Sequence, residues 1–320
     1  VAALSLTPLL APQVASAQGK LQTIMNLLDA PYGMTLGPDG GLYVAEAGIG
    51  GAAGIGPSFK NGNGATVYFG ETGGVAEYVN GITKRVLTGL PSLTPAGGGE
   101  TTGLTDIAFG NDGDLYGVIG LGGTQADRDG LAALLPGDNN PSKLGTIVNL
   151  TTGQIVSDLV PYETANYAAN NGDGTVTEAN PYGLTVLKDG TLAATDGGGN
   201  VVLTTSTTPG SDPSLLSYLP KRTNPLFTGG QGSLGGPTYQ SVPTGITTGP
   251  DGSVYVGEFT GFPFPVGAAN VYKIDPTTKA RSVFASGFTG IVGISLGPNG
   301  DLYVLDTTTT SYIGAPSDGQ

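Results

Sequence analysis

Apolar and polar positions alternate over short runs at five places along the chain, and each place has the same layout. The stretches are YGMTLGPDGGLYVAE (Tyr32–Glu46), LTDIAFGNDGDLYGVIG (Leu104–Gly120), YGLTVLKDGTLAATD (Tyr182–Asp196), TGITTGPDGSVYVGE (Thr244–Glu258) and VGISLGPNGDLYVLD (Val292–Asp306). In each, an apolar run leads into Asp-Gly or Asn-Gly and out into a second alternating run, the pattern of a β-hairpin. The turn glycines Gly40, Gly113, Gly190, Gly252 and Gly300 lie 73, 77, 62 and 48 residues apart. The shortest spacing approaches the ~40–50 residues of a β-propeller blade, so the longer ones predict a blade plus insertions.

A blade is a four-stranded antiparallel sheet, so each hairpin needs a second strand pair after it. Candidates are Val75–Val79 with Thr83–Gly89, Leu144–Leu150 with Gln154–Val160, Asn200–Ser206 with Ser214–Leu219, and Ala269–Pro276 with Ala280–Phe288. Insertions fall at Gly48–Thr66, Leu121–Lys143, Pro161–Ala179 and Pro220–Gln240, and Asp127–Leu135 has the composition of one or two helical turns. Loops of this length are uncommon without a role. Leu21–Leu28 reads as an outer strand that would close the ring on the last blade. Fourteen residues follow Asp306, too few for a further blade, so the pattern predicts either five blades or an incomplete ring with exposed strand edges.

Composition sharpens this picture. Of 320 residues 57 are Gly, only 12% are charged, and there is no Cys, His or Trp. This suits many short strands and turns better than helices. The net charge of −13 comes without a basic stripe, which argues against nucleic acid as a partner. Val1–Ala17 is apolar and ends in Ala15-Ser16-Ala17, the pattern of a signal-peptide remnant, leaving 18–320 as a single propeller domain. Secretion to the periplasm or beyond is the expectation, and no run is long enough for a membrane span.

Four stretches together resemble the ScyD/ScyE family of exported NHL-like β-propellers, which is associated with scytonemin biosynthesis. They are Gly89–Gly110, Val160–Leu184, Pro237–Ile274 and Phe284–Asp306, with EFTGFPFPVG (Glu258–Gly267) the most distinctive part. The resemblance implies a six-bladed propeller with a signal peptide, against the five inner hairpins visible here. Family members continue past the position of Asp306 with another outer pair and hairpin. It implies no catalytic residues.

The missing residue types narrow the chemistry. Without His there is no Ser-His-Asp triad or His-ligated metal, and without Cys no thiolate nucleophile or thiolate zinc site. Glu46, Asp196, Glu258 and Asp306 end the second strand of four hairpins, so a ring would place them at one rim. Tyr32, Asp106, Asn180, Tyr182 and Thr244 lie at or just before the first strands, toward the same opening. Carboxylates with an Asn could take Ca²⁺ through oxygen, as in gluconolactonase-like propellers. Alternatively, acids at repeat-equivalent positions bind adjacent backbone N–H groups and hold the architecture. Asn170, Asn171, Asp173 and Glu178 resemble a Ca²⁺ loop in composition but miss the EF-hand spacing, and read equally as an Asn/Asp/Gly turn. Phe262 and Phe264, stiffened by prolines, form either a ligand platform or a packing plug.

The expectation is therefore an exported scaffold, without enzymatic activity or cofactor, that binds a protein, glycan or small molecule. A Ca²⁺-dependent hydrolase or lactonase is the alternative. A structural protein that self-associates through an open blade edge is the third reading.

Overall fold

The computed structural model describes residues 22–51, 54–61, 64–171, 178–230, 232–310 and 312–313. The Val1–Ala17 segment and Asp173 lie outside the described residues. All five hairpins form where the pattern puts them. They are β1 (Pro31–Leu36) with β2 (Leu42–Glu46), β6 (Leu104–Phe109) with β7 (Leu115–Ile119), and β10 (Pro181–Val186) with β11 (Leu192–Asp196). The last two are β16 (Pro243–Thr248) with β17 (Val254–Glu258), and β20 (Ile291–Leu296) with β21 (Leu302–Asp306).

Their turns share one chemistry. The Gly40 N–H closes a β-turn onto the Gly37 carbonyl, Gly40 takes φ 79°, and Asp39 Oδ1 accepts from Gly41 N–H at 3.0 Å. Asp112, Asp189, Asp251 and Asn299 repeat that side-chain bond two residues onward, which is why Asp or Asn precedes the turn Gly. A Tyr early in the second strand covers the turn: a Cβ on Gly37 would lie 2.4 Å from the Tyr43 ring. The third hairpin carries Ala193 at the Tyr position and Leu187 at the Gly position, both buried, so side-chain volume has moved from one strand to the other.

Outer strands complete four sheets. The second sheet adds β8 (Thr146–Asn149) and β9 (Gln154–Asp158), the third adds β12 (Val201–Thr205) and β13 (Ser214–Tyr218), and the fourth adds β18 (Ala269–Ile274) and β19 (Arg281–Phe288). The first sheet departs from expectation. Its outer pair, β4 (Thr66–Val79) and β5 (Ile82–Pro95), runs well beyond the blade, and β3 (Ser58–Lys60) pairs with the extension. The Gly-rich TVYFGETGG sequence concealed this extension. Among the described residues the fifth sheet has two strands.

Residues 22–28 form no strand; Arg85 holds this segment by donating to the Leu27 carbonyl at 2.9 Å. Two insertions are helical. The helix α1 (Gln125–Leu134) starts at a Thr124–Asp127 capping box, and α2 (Val160–Asn171) occupies a stretch expected to be loop. A small pair, β14 (Arg222–Thr223) with β15 (Thr238–Tyr239), forms in the Pro220–Gln240 insertion.

The sheets stack face to face in chain order, and each neighbouring pair shares a core. Tyr116, Val118, Leu192 and Ala194 fill the gap between the second and third sheets, while Ala193, Val202, Val254 and Val256 fill that between the third and fourth. Period-2 alternation thus serves two cores at once. The first strands contact one another in succession from β1 through β6, β10 and β16 to β20. Their approach is close: a Cβ on Gly183 would lie 2.5 Å from the Thr244 carbonyl oxygen. Repeated antiparallel four-stranded sheets set around a narrow centre make the chain an all-β β-propeller.

Candidate functional site

The centre of the propeller is lined by the third residue of each inner strand. Four of the five are glycine: Gly33, Gly183, Gly245 and Gly293. In the second sheet that place belongs to Asp106. Its carboxylate projects where the other strands have nothing, and Gly33 opposite leaves the room, since a Cβ there would lie 2.0 Å from Asp106 Oδ1. Asp106 Oδ2 accepts from Leu184 N–H at 2.8 Å and Oδ1 from Ile107 N–H at 2.9 Å. The Leu184 N–H is available because the β10–β11 register shifts between Pro181 and Leu184. Burial pushes the Asp106 carboxyl up to about 7, against the pull of those two N–H donors.

Tyr32 and Tyr182 flank this acid from the first and third sheets. Their rings meet edge to face with centroids 6.0 Å apart, and Tyr32 donates to the Thr101 carbonyl at 3.0 Å. Burial, with Glu100 nearby, raises Tyr32 to about 12; Tyr182 is raised too, by burial first and then by Tyr32, Asp106 and Glu100. Both hydroxyls therefore stay protonated near neutrality. An open cleft of about 330 Å³ lies alongside, lined by Gly48, Thr94, Gly97, Gly98, Gly99 and Thr101.

Phe262 and Phe264 belong to an aromatic group that also contains Phe259 and Tyr312. Tyr312 lies 5.3 Å from Phe259 and 5.4 Å from Phe264 between centroids, and Phe262 stands 6.1 Å from Phe264. Phe262 is 56% exposed and Tyr312 45%.

The rim acids have different surroundings. Glu46 accepts from Asp29 N–H at 2.7 Å and from Arg85 at 2.9 and 3.0 Å. Asp196 Oδ1 accepts from the N–H groups of Asn180, Gly198 and Gly199, and Asp306 from those of Thr289 and Gly290. Each of these three acids thereby latches the end of a second strand to the backbone entering its own sheet. Glu258 Oε2 instead accepts from Arg222 at 2.8 Å, Asn270 N–H at 3.0 Å and the Tyr272 hydroxyl at 3.2 Å. Thr244 is buried and donates to the Ile291 carbonyl at 2.6 Å.

Asn180 and Glu178 sit at the junction of the second and third sheets. Asn180 Oδ1, Glu178 Oε1 and Thr102 Oγ1 each lie 3.9 Å from where a Cβ on Gly122 would stand. Burial raises the Glu178 carboxyl, with Asp196 and Asp127 adding to the effect. Among the described residues no group of three or more Asp and Glu side chains is placed to hold a metal ion. The structure thus brings together Tyr32, Asp106 and Tyr182, and separately Phe262 with Phe264. Glu46 and Asp306 are held within their own sheets, Glu258 is also held by Arg222 of the small β14–β15 pair, and Thr244 bonds across to the fifth sheet.

Sequence reasoning missed Arg85, Glu163, Arg222 and Tyr312. No repeat signal marks Glu163 or Arg222, which lie in insertions. The substitution of Asp106 for a repeated glycine was visible, and aligning the five hairpins by their turns would have exposed it.

No protein-family model matches this sequence, and no curated protein matches it. Solved structures do. A streptogramin B lyase shares 15% identity, with 86% of this chain and 62% of that one covered at a TM-score of 0.42. A protein of unknown function from Bacteroides thetaiotaomicron shares 11%, covering 87% and 53% at 0.47. The PQQ-bound aldose sugar dehydrogenase from Streptomyces coelicolor shares 18%, covering 90% and 91% at 0.43. The chain thus spans 62% and 53% of the lengths of the first two. The propeller assignment rests on this chain's own sheets. No helix among the described residues is long and apolar enough to cross a membrane.

Proposed function

We propose that this chain is an exported propeller that binds an uncharged, hydroxyl-rich molecule, a glycan or a small polyol, at the mouth formed by Tyr32, Asp106 and Tyr182. The observation that carries the reading is Asp106 in the glycine place of the inner strands, flanked by two tyrosines from other sheets. A carboxylate accepts hydrogen bonds from ligand hydroxyls, and tyrosine hydroxyls donate and accept beside an apolar ring. No Lys or Arg takes part in these contacts, and a net charge of −13 disfavours anions. Export rests on the Val1–Ala17 sequence, and the ScyD/ScyE assignment on the stretches that resemble that family.

With no Trp in the chain, emission comes from its 14 tyrosines, of which Tyr32 and Tyr182 lie at this mouth, so the ligand-dependent part is read as the change lost in Tyr182→Ala. Titration with a panel of neutral oligosaccharides and polyols should give a saturable change for a subset of them. Tyr182→Ala and Asp106→Asn should each weaken it about tenfold, the equivalent of one lost hydrogen bond of ~1.4 kcal/mol. Binding unaltered by both substitutions, or none across the panel, would refute the assignment.

One observation favours a second reading. A carboxyl raised to about 7 is poised for general acid–base work, so a hydrolase acting at Asp106 is the alternative. Turnover of lactone or ester substrates that disappears in Asp106→Asn would select it over simple binding.

A further inference from the structure

Away from the channel mouth, two carboxylates meet where α2 packs against the third sheet. Glu163, in the first turn of α2, and Asp196, at the end of β11, are both 0% exposed. They face the same short loop. Asp196 Oδ1 takes the N–H groups of Gly198 and Gly199, and a Cβ on Gly199 would lie 2.1 Å from Glu163 Oε2 and 2.5 Å from Oε1. Glycine at 199 is what lets the Glu163 carboxylate in.

Three oxygens in this pocket, Glu163 Oε1, Glu163 Oε2 and Asp196 Oδ2, are buried without a hydrogen-bond partner among the described residues. Among the described residues no Lys or Arg forms an ion pair with either acid. Buried polar atoms are normally satisfied, and buried charges are normally paired or bound to a metal. Two like charges sharing a dry pocket are strongly unfavourable unless something neutralises them. Burial, and then the Asp196 charge, push Glu163 up to about 9. The other rim acids differ: Glu46 has Arg85 and Glu258 has Arg222.

We propose that Glu163 and Asp196 hold a Ca²⁺ ion that pins α2 to the third sheet. The three partnerless oxygens provide roughly half of the six to eight that such an ion takes, with backbone carbonyls and water completing the shell. Its role is to fix the insertion between the second and third sheets, beside the Glu178–Asn180 backbone that leads to Tyr182. The repeat marks Asp196 as a candidate ligand, but nothing in the local sequence marks Glu163, which lies in an insertion outside the repeat. The site is separate from the ligand-binding mouth and stands or falls independently of it.

Protein stripped with a chelator and returned to chelator-free buffer is titrated with Ca²⁺. The expected result is one ion per chain by calorimetry and a melting temperature raised by about 4 °C at a hundredfold excess over Kd. Tb³⁺ should bind with the same stoichiometry and emit under tyrosine excitation, since Tyr162 and Tyr167 lie on α2. Glu163→Gln should abolish all three responses. Gly199→Ala keeps both acids but forces the Glu163 carboxylate aside, and should weaken Ca²⁺ binding at least about tenfold. Asp106→Asn should leave the Ca²⁺ response unchanged, which separates this site from the channel mouth. A stripped wild-type chain with no Ca²⁺-dependent melting shift and no Tb³⁺ emission would overturn the proposal, as would a response that survives in both Glu163→Gln and Gly199→Ala. If Glu163→Gln does not fold, the wild-type titration and Gly199→Ala decide the matter.

Discussion

The strands β11 and β21 follow equivalent turns and pair with equivalent inner strands in the same register. Their sequences, LAATD and LYVLD, carry the same ending. All five residues of β11 are buried, whereas Tyr303 and Leu305 of β21 are 55% and 64% exposed. The difference lies outside the hairpins. The third sheet has a neighbour on each face, and within it β12 pairs along the outer side of β11. The fifth sheet packs one face on the fourth, and among the described residues no third strand pairs with it. Met34 and Leu36 of β1, at the other end of the array, are 61% and 71% exposed. A local pattern encodes the hairpin, but the neighbouring sheet determines what the apolar side chains contribute.

The comparison can be tested by substitution on both sides of it. Leu192→Ala, between the second and third sheets, should cost about 2–5 kcal/mol in denaturant unfolding, the range for a large-to-small change in a closed core. Arg85→Ala comes next. Among the described residues it leaves Glu46, 1% exposed, with the Asp29 N–H as its one side-chain partner, and a loss of about 1–3 kcal/mol is expected. Adding Glu46→Gln should restore part of that loss.

The pH dependence of unfolding probes the second sheet's central acid. Asp106 is raised from 3.8 to about 7 in the folded chain, so the native state holds an extra proton between those values. Its contribution is fully present below the unfolded pKa and is lost as pH rises through the folded one. Stability should fall with rising pH across that window, and Asp106→Asn should flatten the slope.

The smallest effect is expected at the bare face. Leu305→Ala should change stability by no more than about 0.5 kcal/mol, as for an exposed site. A loss comparable to that of Leu192→Ala, together with a large species in size-exclusion chromatography, would show that another copy covers this face in solution.

The five hairpins, their turn chemistry and three of the four outer strand pairs were legible because each is specified by residues close in sequence. Gly40 and its equivalents report a backbone angle, and Asp39 and its equivalents report a bond two residues away. The extension of β4 and β5 was not legible, since TVYFGETGG lacks clean alternation and gains its partner from β3. The helix α2 was missed for a related reason. Its stretch has no strong apolar stripe and is held through contacts remote in the chain, with Tyr167 buried.

Of the candidate site, the identities of Tyr32, Asp106 and Tyr182 could be named in advance, but their meeting could not. Three sheets separated by insertions of unequal length supply them. The convergence depends on Gly33 leaving room for Asp106 and on a register shift freeing the Leu184 N–H. The sequence by itself determined the repeat, the turns and the exclusion of His and Cys chemistry, because those depend on composition and on neighbours within a few residues. Only the tertiary structure decided which acids are latches, which one lines the centre, and which pair shares a buried pocket. Burial and the presence or absence of a counter-charge are properties of what packs alongside, and that partner lies tens of residues away.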